Sequence, residues 1–371
     1  MKKIIANLIF FVSLLLLTSC NHALNIDTKL FVSAIGLDIG ENKGVSICLS
    51  YPDISEYSPD SSKIKSTSSI CGFGKSFYEA LDDIVIKTNK SVDLEHVKDI
   101  ILTENLINNK EIFQNILDYL SHDPQISRRI HISICKGNVK DFLDFKNPLD
   151  EHSQIFISEL MKINSKENGL NLVTLNNMLD FFSQNKTIII PSLKLNDKKD
   201  KMYISGSFVL ENYNVLEEIN LQETMFINFL RGDTYKILNE INYMEKIIDY
   251  EGENLKRKMK VLNEGDLSVV LNYNIKTLIK NCVDPEHLNV NNQFVLEVNE
   301  ILDDSIKGNC ITLINKFYKK NIDILNIENY IYKFNNNLWK EKIHNKNQWM
   351  KKLDVNLNIN NNIINMGNIS F

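Results

Sequence analysis

A mixed α/β fold (α+β), in two to three subdomains with mixed sheets and a long helix in the C-terminal one, is what this 371-residue sequence predicts. Three observations carry it. Runs of period two alternate with amphipathic stretches of helical period through the first two thirds. Gln293 to Lys319 then keeps helical spacing in Val295, Val298, Ile301, Leu302, Ile306, Leu313 and Phe317, across Gly308. The chain closes on Leu353, Val355, Leu357 and Ile359, alternating with Asp354, Asn356 and Asn358, the pattern of a half-buried strand.

The first element is a leader. Lys2 and Lys3 precede an apolar run from Ile4 to Leu17, and Leu17-Thr18-Ser19-Cys20 closes it. A basic start, an apolar middle and small residues before a cut spell a secretory signal. A branched apolar residue three before a cysteine makes it a lipoprotein signal, cleaved between Ser19 and Cys20. Cys20 then takes a diacylglyceryl group, and an N-acyl chain can follow. The run is shorter than the roughly 20 residues that span a bilayer. Residues 1–19 are therefore signal and 20–29 lipidated cysteine and tether.

Next, Leu30 to Tyr51 reads as a hairpin around the turn residues 40–44 (GENKG), and Ser50 to Ser69 as loop. Ser76 and Glu79 make a capping box ahead of Phe77, Leu81, Ile84 and Thr88. A buried strand from Val97 to Thr103, a helix from Ile112 to Leu120 and a strand at Ile130, Ile132 and Ile134 follow. Asn138 caps a helix through Phe145, and further helices cover Ser153 to Ile163 and Leu175 to Ser183. The apolar run Ile188 to Ile190 and a strand-like stretch from Met202 to Leu210 precede a helix from Gln222 to Leu230, with Gly232 as its stop. These elements divide into an N-terminal α/β domain, 30–200, and a C-terminal one, 201–371, with a further split near 232 as an alternative.

Composition excludes some classes. The formal charge of −5 becomes −7 when Lys2 and Lys3 leave with the signal, and phosphate backbones need a basic face, so nucleic acid is no partner. Of six cysteines, five remain once Cys20 is lipidated. None forms CxxC, and they read as small buried hydrophobes. Gly72-Phe73-Gly74-Lys75-Ser76 resembles the end of a phosphate loop, but position 69 is Ser where the pattern needs Gly. It reads instead as a flexible turn into the Ser76 cap. His122 and His131 lack metal-ligand spacing. Asp82-Asp83 and Asp303-Asp304 read as solvated helix faces, since neighbours on a helix point apart. No nucleophile motif appears, so no catalytic residue, cofactor or metal is expected.

Several segments in order resemble the Ger(x)C family, the lipoprotein C subunits of bacterial spore germinant receptors. They are the lipobox, residues 31–38 (FVSAIGLD), Phe77 to Leu81, His96-Val97-Lys98 with Ile100 to Leu102, Asp123 to Ile126, and Ile134 to Gly137. At the far end, Asp323-Ile324-Leu325, Phe334, Trp339, Trp349, the alternating strand and Gly367 resemble the family's ending. One departure is Asn21 to Leu24, where members carry Trp-Asp and basic residues. The resemblance implies a three-domain mixed α/β protein on the outer face of the spore inner membrane. It implies work in nutrient germination beside two integral-membrane subunits, A and B, with no enzymatic activity. Trp339 and Trp349 are expected to be structural, packing the helical segment against the terminal strand. The competing readings are a solute-binding lipoprotein of a transporter, which would show two similar lobes, and a lipid-anchored extracytoplasmic enzyme.

Overall fold

The expected hairpin forms the antiparallel wing of a larger sheet. The computed structural model describes residues 28–52, 67–88, 90–147, 156–234, 236–264, 266–282, 291–344 and 349–365. After β1 (Lys29–Phe31), β2 (Ala34–Ile39) pairs with β3 (Val45–Pro52), setting Ile35 opposite Leu49 and Leu37 opposite Ile47. β4 (Thr67–Gly74) adds to the far side of β3. On the other side of β2 lie β6 (Asp99–Thr103), β7 (His131–Cys135) and β8 (Ile188–Leu195), all parallel. β9 (Met202–Glu211) and β10 (Asn214–Asn220) close the sheet antiparallel, in the order β10-β9-β8-β7-β6-β2-β3-β4. A short β5 (Ser91–Asp93) pairs with β1 alone.

The parallel strands are apolar on both sides because helices cover both. Ile100 and Leu102 point to a core shared with α1 (Phe77–Thr88), α2 (Glu104–Ile107), α3 (Lys110–His122) and α6 (Leu175–Ser183). Ile101 points to the opposite core, under α4 (Val139–Leu143) and α5 (Phe156–Glu167). The caps follow the sequence. Asn138 accepts from the Lys140 N–H at 2.9 Å, and Thr174 with Asn177 makes a capping box on α6.

A second sheet carries the C-terminal third. β11 (Lys236–Tyr243), β12 (Lys246–Glu264) and β13 (Asp266–Cys282) form an antiparallel meander, and β14 (Asp354–Asn365) joins β13 in parallel. The predicted long helix is α8 (Asn292–Lys319), which buries Val298, Leu302, Ile306, Leu313 and Phe317 against this sheet. Its 28 residues make it about 42 Å long. α9 (Ile327–Phe334) and α10 (Asn336–Lys342) follow.

Between the sheets lies α7 (Leu221–Arg231), buried at every residue from Thr224 to Arg231. It begins in a capping box: Asn220 Oδ1 accepts from the Glu223 N–H at 2.8 Å, and Glu223 Oε2 accepts from the Asn220 N–H at 3.0 Å. It stops at Gly232, whose φ of 74° is left-handed. The expected boundary at 200–201 falls between β8 and β9, which are hydrogen-bonded neighbours, so the first sheet runs on to Asn220. The change of sheet comes across α7 and Gly232, beside the alternative near 232.

Two expectations are corrected, and one hairpin was not foreseen. The segment around Gly72 is strand β4, not a flexible turn. Cys48 and Cys71 are not unpaired hydrophobes: they stand opposite each other on β3 and β4 and form a disulfide. That pairing rests on a strand register that no cysteine spacing reveals. Cys135, Cys282 and Cys310 are buried as expected. Finally, β11 and β12 carry no hairpin signal, because their turn places Met244 (φ 49°) and Glu245 (φ 66°) where Gly or Asn is usual.

The disulfide closes a loop of sequence separation 23 at the β4 edge of the first sheet. Replacing both cysteines by serine should lower stability by about 3 kcal/mol. Equilibrium urea unfolding of the double variant checks this, and an unchanged midpoint would refute it.

Candidate interaction surfaces

The glycine-rich segment shows what β4 is for. A Cβ on Gly72 would stand 2.2 Å from the Ala80 carbonyl oxygen, and one on Gly74 2.5 Å from the Ala80 nitrogen. Both glycines let α1 lie directly on β4. Ser76 Oγ accepts from the Glu79 N–H at 3.2 Å, while Glu79 Oε2 accepts from the Lys75 N–H at 2.7 Å. These groups cap a helix, and the phosphate-loop likeness ends there.

The first turn of α1 and the length of α3 border a groove of about 910 Å³. Phe77 stacks on Tyr119 at 4.1 Å between centroids, and Tyr78 stands exposed at the rim. Tyr119 donates to Asp123 at 2.9 Å; burial, then the Asp123 hydrogen bond, pushes its phenol well above the usual range. Lys43, Lys75, Glu111, Asp118 and His122 also line the groove. His122 and Asp118 are 3.5 Å apart, but both side chains are about three-quarters exposed. The groove suits a polypeptide with apolar and mixed-charge contacts better than it suits proton transfer, which needs desolvated partners.

A second cavity, about 330 Å³, lies where the first sheet meets α9 and α10. Asn326, left-handed at φ 55°, accepts from the Thr187 N–H at 2.8 Å and donates to the Thr187 carbonyl at 3.1 Å. Thr187 Oγ1 also donates to the Asp323 carbonyl at 3.1 Å. Asp323 is buried, and its Oδ2 accepts from the Glu328 N–H at 2.8 Å. Burial pushes its carboxyl up to about 6, against the opposing N–H bonds from Glu328 and Ile327. Burial and the Asp323 charge also raise Glu211 in the same wall. Behind them Arg231, buried, donates from Nε to the Ile324 carbonyl at 2.6 Å.

Polar sets that look catalytic in a list are not so in space. Ser158 Oγ donates to Asp99 Oδ2 at 2.6 Å, and His131 Nδ1 lies 3.8 Å from Asp99 Oδ1. The carboxylate stands in the middle, whereas nucleophile activation needs the imidazole there, and Ser158 is buried. Burial pushes the Cys135 and Cys310 thiols up, away from thiolate. Among the described residues no group of three His, Cys, Asp or Glu could hold a metal ion. Asp82 and Asp304 are exposed as expected. Asp83 is engaged instead: its carboxylate accepts from Lys87 at 2.6 Å and the Phe73 N–H at 2.9 Å, which hold it below the usual range. The reading of Asp303 as solvated is corrected: it is half-buried under β14, and burial pushes it up to about 6.

Ser19 and Cys20 lie outside the described residues. Trp339 sits on α10 at the mouth of the second cavity, edge-on to Tyr332 at 5.1 Å and beside His344 at 4.4 Å. Its Nε1 donates to Glu328 at 3.3 Å. Trp349 opens the 3-10 turn Trp349–Lys352 just before β14, and both indoles are partly buried against the second core. Sequence reading missed Asn326 and Arg231; the one signal was the motif beginning at Asp323.

Two mixed sheets joined through a buried helix define a class of fold, and the comparisons place it. The "Spore germination protein N-terminal domain" matches residues 22–195, and "Spore germination B3/ GerAC like, C-terminal" matches residues 205–367. The chain belongs to this GerAC, or Ger(x)C, family of spore germination proteins. Its fold matches the crystal structure of the GerBC protein at a TM-score of 0.58, with 16% identity over 89% of this chain and 96% of that one. No curated protein matches.

Two outcomes follow for the junction. Asn326→Ala should cost about 2–3 kcal/mol, from two unpaired backbone groups and a left-handed backbone. Asn326→Gly should cost about 1 kcal/mol less, because glycine accepts that backbone; chemical unfolding reads both, and equal costs would contradict the strain. Asp323 is raised in the folded state, so its contribution is full at low pH and is lost as pH rises from about 4 through about 6. Asp323→Asn should therefore gain on the unsubstituted protein across that window, by up to about 3 kcal/mol. A pH-independent difference would contradict it.

Proposed function

We propose that this protein is the lipid-anchored C subunit of a nutrient germinant receptor. It sits on the outer face of the spore inner membrane and acts by association with the A and B integral-membrane subunits. The observation that carries the reading is the order of parts: the lipobox ending at Cys20, then two spore germination domains over 22–195 and 205–367. The first described strand begins at Lys29, so the folded body starts close behind the anchor. Among the described residues no helix is long and apolar enough to cross a membrane. Attachment then falls to the two acyl chains on Cys20, which suffice where a single chain binds marginally.

Non-catalytic action is supported by what the candidate residues do. Ser76 caps a helix, Ser158 is buried on a carboxylate, and Cys135 and Cys310 are buried thiols. The groove between α1 and α3 offers a contact surface for a neighbouring subunit. Confinement beside its partners raises effective concentration, so weak contacts hold a complex together.

Spores carrying Cys20→Ala should lose mature-size protein from the detergent phase, recover less of the A and B subunits in co-purification, and germinate poorly with nutrients. Normal processing and detergent partition would refute the anchor. Normal recovery of the complex with germination lost would refute association as the mechanism.

A further inference from the structure

We propose that the C-terminal end of α1, with Ile86 outermost and Lys90 beside it, is the face this protein lays on the lipid bilayer. The proposal rests on the reading of Cys20 as the lipidated residue. Seven residues, 21 to 27, separate Cys20 from Thr28. An extended chain spans at most about 3.5 Å per residue, so Thr28 stays within about 28 Å of the acylated sulfur.

The structure fixes where on the body that exit lies. The Thr28 carbonyl accepts from Ser91 Oγ at 3.3 Å, and β1 runs parallel to β5 with Lys29 opposite Ser91. Lys29 is held to Asp93 at 2.7 Å. Ser91 comes three residues after α1 ends at Thr88, so the exit stands beside the last turn of that helix. Ile86 is five residues from Ser91, at most about 19 Å along the chain.

The last turns of α1 expose Asp82, Val85, Ile86 and Lys87, and Ile86 is the most exposed of the apolar ones. Phe77, Ala80 and Ile84 face the core, whereas Ile86 is 82% exposed and Val85 38%. A lone exposed isoleucine is ordinary on a surface; its place beside the anchor exit gives this one meaning. The charges suit lipid too. An acidic protein is repelled by an anionic leaflet, yet here Asp83 is paired with Lys87 at 2.6 Å and Asp93 with Lys29. Lys90, half-buried, follows two residues after α1, and a lysine stem covers apolar surface while its charge stays in water. An apolar tip ringed by lysine lies at the headgroup and acyl boundary. The groove against α3 begins at the other end of α1, where Phe77 lies nine residues, about 14 Å along the helix, from Ile86.

Depth-dependent quenching tests this on the full lipidated chain. I86W and Y78W, at opposite ends of α1 and both at exposed positions, are reconstituted in vesicles of phosphatidylcholine and phosphatidylglycerol. A doxyl label high on the acyl chain is the quencher, and the unsubstituted protein gives the background of Trp339 and Trp349. The added emission of I86W should fall by about half and that of Y78W stay unchanged, as expected for a residue at the acyl boundary and one above it. Flotation with the vesicles separates the two claims. A protein that floats with I86W unquenched keeps its anchor and overturns the docking face. One that fails to float overturns the lipidation of Cys20 and the face with it. An I86W emission that responds to protein density and not to the doxyl label assigns the face to a second copy, and also overturns the proposal.

Discussion

The structure depends on α7 being buried on every side. A helix buried from Thr224 to Arg231 keeps its polar groups from water, and several of them find partners in the bodies on either side. Asn228 donates to the Gly169 carbonyl at 3.1 Å, on the first body. Tyr273 of β13 donates to the Leu230 carbonyl at 2.7 Å, and Arg257 of β12 donates to the Arg231 carbonyl, both from the second. Arg231 reaches Ile324 in turn. Ile189, Val209 and Ile219 of the first sheet lie in the same core as Phe229, Leu271 and Phe317. The two family domains are thus halves of one packed unit, with their division inside a hydrogen-bonded hairpin.

On the proposed reading, that unit explains how a subunit acting by association serves at a membrane. Contacts made weakly at one surface gain from being presented at a fixed height and angle, which a hinged pair of domains does not provide. The Thr187 and Asn326 clasp adds a rigid polar joint at the rim of α7, where the buried Asp323 holds the start of α9. An isolated buried carboxyl costs stability unless hydrogen-bonded, and its two N–H donors are what make this position tolerable.

Much of the fold is legible in the sequence because period and caps agree. The β2 to β3 hairpin, the Asn138 and Ser76 caps, the stop at Gly232 and the long helix α8 all stand where propensity and pattern coincide. The failures have physical causes. β12 is charged along its outer side and enters through a turn of Met and Glu, so neither alternation nor turn chemistry marks it. β4 is Ser- and Gly-rich because α1 presses on it, which reads as a loop. The Cys48 and Cys71 bond depends on long-range register. At the candidate surfaces, the Asp323 motif was visible, but the clasp at Asn326 and the role of Arg231 are properties of packing. The lipobox expected at Cys20 lies outside the described residues.

Differential scanning calorimetry of the mature protein tests the central claim, that α7 makes the two sheets one cooperative body. A single transition with calorimetric and van't Hoff enthalpies in agreement is the predicted result. Two resolved transitions, or a van't Hoff value near half the calorimetric one, would show two independent domains and contradict the account.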